Sequence, residues 1–112
     1  MASHLKNLGR RAALPAMLAI ALSGCAGQMA YRDGRDLIAK DQIEAGLLKY
    51  QEAVKADPGN AQFRSAYLVE RDRATLRYLD QAERQQAEGK LDLAEQGFRR
   101  VLGLDPSNER AR

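Results

Sequence analysis

The chain has 112 residues, 45% hydrophobic and 29% charged, which is one small domain's worth of sequence and marginal for an independent core. A single cysteine, Cys25, and a single histidine, His4, exclude a disulfide framework, a Cys/His zinc site and a Ser-His or Cys-His nucleophile pair. The formal net charge of +3 raises the question of nucleic acid, but the basic excess lies wholly within the first 24 residues.

Lys6, Arg10 and Arg11 form a positive start, Ala12 to Leu22 form an apolar run interrupted by Pro15, and the small residues Ser23 and Gly24 precede Cys25. A run of about 11 apolar residues cannot cross a ~30 Å hydrocarbon core, which needs about 20. It reads as a targeting signal and not as a permanent span. Leu22-Ser23-Gly24-Cys25, at this distance from a basic start, resembles the lipobox of a bacterial lipoprotein signal. The resemblance implies a signal peptide over 1–24, lipidation of Cys25, a lipidated tether over 25–29 and a domain over 30–112. Several acyl chains on one residue give stable anchoring at ~0.8 kcal/mol per buried methylene, so the protein is expected to be attached to a membrane without spanning it. Ala26 in place of an Asp after the cysteine implies the outer membrane of a Gram-negative cell, with the domain facing the periplasm.

Cleavage removes Lys6, Arg10 and Arg11 and no acid, leaving 18 − 3 = 15 basic residues against 15 acidic ones. A neutral mature chain gives no reason to expect nucleic acid. His4 leaves with the signal, and the Cys25 thiol is consumed by the thioether. The carboxylates are scattered along polar helical faces and the glycines form no phosphate-cradling loop. No catalytic residue, metal, cofactor or small-molecule substrate is expected, and the chain does not read as an enzyme.

From residue 30 the pattern is helical throughout, with elements expected near 30–40, 42–56, 61–88 and 91–104. Asp57-Pro58-Gly59-Asn60 recurs as Asp105-Pro106-Ser107-Asn108, an offset of 105 − 57 = 48. At the same offset Ile43 answers Leu91, Gly46 answers Ala94, Tyr50 answers Phe98, Ala53 answers Val101 and Val54 answers Leu102. These positions follow the i, i+3, i+4 spacing of an amphipathic helix. Each copy ends at Asp-Pro, because the residue before proline is pushed out of the helical region. Gly46 or Ala94 beside an aromatic at Tyr50 or Phe98 admits a neighbouring helix closely, and Asn60 and Asn108 suit the caps of the helices that follow.

The third helix reads as one long element whose stripe is Phe63, Tyr67, Ala74, Tyr78 and Ala82, with Asp80 and Arg84 as an i, i+4 ion pair. Glu70-Arg71-Asp72-Arg73 reads as a solvated face. Asn108 followed by Glu109-Arg110-Ala111-Arg112 reads as the first turn of a further helix, either frayed or the front of a longer protein.

The spacing resembles the tetratricopeptide repeat, a helix-turn-helix unit of about 34 residues. Gly89, Ala94, Phe98 and Pro106 stand at matching motif positions, as do Gly34, Leu37, Tyr50, Ala53 and Pro58 in the first copy. Gln81 and Gln85 depart from the motif's apolar pattern. The 14 residues by which 48 exceeds 34 make about four helical turns, so an insertion within a helix keeps its buried face in place. The expected fold is all-α, with tetratricopeptide-like antiparallel hairpins and one long central helix. Its packing positions are Gly34, Leu37, Ile43, Gly46, Tyr50, Ala53, Pro58, Gly89, Leu91, Ala94, Phe98, Val101 and Pro106.

The lipobox, the opening Tyr31 to Ile38, the two Asp-Pro repeats and the long helix between them together resemble the N-terminal region of lipidated secretin-type proteins. Those are outer-membrane channels of general secretion and pilus systems. Their pore-forming β-domain is not among these residues, so the resemblance implies a periplasmic docking or assembly role with protein partners of that machinery. Two other readings use the same helices: a stand-alone lipoprotein acting as an assembly factor or pilotin-like escort, and a structural envelope lipoprotein that self-associates, against which the weak heptad regularity argues.

Overall fold

The computed structural model describes residues 24–112, so the basic start, the apolar run and His4 lie outside the described residues. Within them are four helices and no strand: α1 over 24–39, α2 Ile43–Ala56, α3 Ala61–Ala87 and α4 Leu91–Leu104. The last three match the expected bounds to within a residue. Helix α1 differs, because it runs back through 25–29, where a tether was expected. Gly27 in that stretch is buried, and a Cβ there would lie 3.0 Å from the Phe63 ring and 3.4 Å from the Ala56 methyl. Packing therefore holds the first turn in helix.

The helix ends are built twice. After α1, Gln42 N–H donates to the Leu37 carbonyl and Asp41 N–H to Ile38, with Asp41 in the left-handed region at φ 62°. After α3, Lys90 N–H donates to Gln85 and Gly89 N–H to Gln86, with Gly89 at φ 78°. Both are Schellman endings, which satisfy carbonyls the helix leaves over. At the other turns, Asn60 Oδ1 accepts from Phe63 N–H at 3.2 Å and Asn108 Oδ1 accepts from Ala111 N–H at 3.1 Å. Their amide groups reach back to Asp57 and Asp105 at 3.4 and 3.3 Å, and Arg64 and Arg112 donate to the carbonyls of Pro58 and Pro106. Every one of these pairs is separated by 48 residues.

The chain divides after Ser65 into two compact units. In the first, Gly34 of α1 faces Tyr50 and Gly46 of α2, while Gly27 faces Ala56, so the two helices run antiparallel. Ala30, Ala53 and Phe63 form its core, with Tyr31 and Val54 packed against them. Tyr31 stacks on Tyr50 at 5.6 Å and on Phe63 at 5.2 Å between ring centroids. In the second unit α3 supplies Ala74, Tyr78, Leu79 and Ala82, and α4 supplies Ala94 and Val101. Gly97 lies against Ala82, and the Arg100 guanidinium sits 4.2 Å from the centre of the Tyr78 ring, so α3 and α4 also run antiparallel. Arg110 grips Glu83 with two contacts of 2.8 Å, and Asp80 pairs with Arg84 at 3.0 Å.

Candidate lipid-attachment and repeat-packing sites

Cys25 is exposed at the head of α1. A helix advances about 100° per residue, so Cys25 shares one face with Met29, Arg32 and Asp36, all exposed, and stands opposite Gly27, Ala30 and Gly34, all buried. The thiol thus points away from the packed side. Among the described residues, no helix is long and apolar enough to cross a membrane, and no group of His, Cys, Asp and Glu side chains could hold a metal ion.

The expected packing positions sort by chemistry. Gly34, Gly46, Tyr50, Ala53, Ala94 and Val101 are buried, and Leu37, Ile43 and Phe98 are half-buried. A Cβ at Gly46 would lie 3.0 Å from the Gly34 carbonyl, which is the close backbone approach expected of a small residue there. Pro58, Gly89 and Pro106 are exposed, in the turns that follow helices. Leu91 is a correction, being 64% exposed. It opens α4, and its counterpart Ile43 is better covered. The motif alignment also shifts, because the counterpart of Gly89 at the 48 offset is Asp41, and that of Gly34 is Ala82. Asp41 was not foreseen as a left-handed residue, although aspartate tolerates that region.

Sequence reasoning missed Gly27, Ala30, Tyr31, Leu47 and Leu79, all buried except Tyr31, which is half-buried. Leu79 could have been found as the partner of Tyr78 on the face that also carries Thr75 and Ala82. The run Glu70 to Arg73 is not uniformly solvated, since the Glu70 side chain is only 17% exposed against 70% for Arg73, to which it is paired at 2.9 Å.

Two open grooves flank α4. One is lined by Tyr78, Gln81, Gln85, Gln96 and Arg100, and the other by Leu91, Phe98, Leu102 and Ala111. Local charge shifts come from exposed pairs. The Ser107 hydroxyl, 2.8 Å away, and then Asn108 hold the Asp105 carboxyl below the usual carboxylate range. Lys90 lowers Glu88, and Glu88 raises Lys90 in turn, across 2.8 Å. No family model, curated protein or solved structure matches the chain.

Proposed function

We propose that the mature chain is a lipid-anchored periplasmic protein–protein interaction module, built of tetratricopeptide-like helical hairpins and serving in a secretin assembly of a secretion or pilus system. The carrying observation is the duplication: both copies repeat the same helix ends, caps and aspartate contacts 48 residues apart. Repeated helical hairpins present extended side-chain surfaces, which suits contact with proteins. The exposed Cys25 at the end of a lipobox supports attachment through acyl chains.

Two measurements test this. Cys25→Ser is expected to abolish incorporation of labelled fatty acid and leave the precursor uncleaved. Removal of residues 30–108, keeping the signal and Cys25, is expected to impair secretion or piliation while membrane attachment persists. Unchanged secretion, piliation and co-purifying proteins in the deletion strain would overturn the secretion reading and leave a helical-repeat lipoprotein of another system.

A further inference from the structure

We infer that α1 itself, and no flexible tether, carries the lipid, and that Met29 lies in the headgroup layer of the bilayer, holding the first unit against the membrane. The inference rests on the lipid-anchor reading of Cys25 and adds where the domain sits. Cys25 is helical and exposed, and Gly27, two residues on, is already buried. A five-residue tether could extend about 17 Å. A helix has no such slack: Met29 is about 6 Å along the axis from Cys25, a distance no greater than the roughly 5–7 Å headgroup layer of one leaflet.

Met29 is a large apolar side chain, 65% exposed, on the face that carries Cys25 and opposite the buried one. The continuity of that face with the acyl chains identifies a lipid surface as its cover. Arg32 and Arg35 are offset on α1 by Asp33 and Asp36, so contact depends on apolar burial and not on anionic lipid.

The test uses the lipidated chain in phosphatidylethanolamine/phosphatidylglycerol vesicles. With Cys25 consumed, a nitroxide on Met29→Cys is the sole labelled site, and Ala45→Cys on α2, exposed and near the far end of α1, is the control. Collisions with an aqueous nickel complex are expected to be several-fold fewer at position 29 than at 45, and insensitive to salt. A Gly/Ser spacer between Cys25 and Ala26 is expected to erase the difference. Met29 is also the only methionine after Cys25, so its oxidation by a water-soluble oxidant, read by mass, provides the same measurement without substitution. It is expected to be slower in the vesicle-bound lipoprotein than in a signal-less soluble form. Equal accessibility at positions 29 and 45, in protein shown to carry acyl chains, would overturn this inference alone. Absence of acyl chains would overturn the anchor reading and this inference with it.

Discussion

Glycine has opposite consequences at different positions of this chain. A Cβ at Gly34 would meet the Tyr50 ring at 2.6 Å and the Gly46 carbonyl at 3.0 Å, whereas one at Gly103 would meet nothing within 4 Å. In a helix interior, alanine normally gains roughly 0.5–1 kcal/mol over glycine. Gly103→Ala is therefore expected to stabilise by about that amount. At Gly34 the overpacking penalty of ~1–3 kcal/mol outweighs the gain, and Gly34→Ala is expected to lose about 1–2 kcal/mol. Denaturant midpoints of the two variants decide it, and shifts of the same sign would show that the α1–α2 approach is wrong.

Thr75 is the other residue whose chemistry conflicts with its place. It is 6% exposed and its hydroxyl has no hydrogen-bond partner, a condition that costs on the order of 1–3 kcal/mol. Thr75→Val keeps the shape and removes the hydroxyl. Thermal melting is expected to rise; a fall would mean that the hydroxyl is satisfied in solution.

The elements owe their bounds to their ends more than to propensity. Asn60 occupies one N–H that the start of α3 leaves unpaired, an interaction typically worth about 1 kcal/mol, and Asn108 makes the same contact to Ala111 in a turn that follows α4. Asp105 closes α4 and gathers the Ser107 hydroxyl and the Asn108 amide. Because its folded pKa lies below the unfolded value of about 3.9, its contribution is present above that pH and is lost as pH falls through the folded value. Asp105→Asn is expected to flatten the decline of the thermal midpoint as pH falls below about 4. An unaltered acid limb would remove Asp105 from the account.

For the molecule as a whole, the duplication uses different bulk to fill equivalent places. Ala30, Tyr31, Ala53 and Phe63 of the first unit answer Tyr78, Leu79, Val101 and Ala111 of the second. Ala53 and Ala94 are 0% and 3% exposed, so arginine at either is expected to cost several kcal/mol through an unpaired buried charge. Arg73→Gln, on an exposed side chain, is expected to stay within about ±0.5 kcal/mol. Equal midpoints for all three variants would show that the packing face is misassigned.

Helix number, the bounds of the last three helices and both Asp-Pro ends were legible in the sequence, since hydrophobic period, proline and asparagine act within a few residues of themselves. So was the 48-residue repeat, and with it the close approach at Gly46. The tertiary structure alone decided that 25–29 is helix, because its hold comes from Phe63, Ala53 and Ala56 far along the chain. It also decided that Asp41 turns left-handed where the second copy has Gly89, and that Leu91 stays exposed while Leu79 is buried at 1%. A helix's own period gives the direction of each side chain; whether a neighbour stands there depends on where the rest of the chain packs.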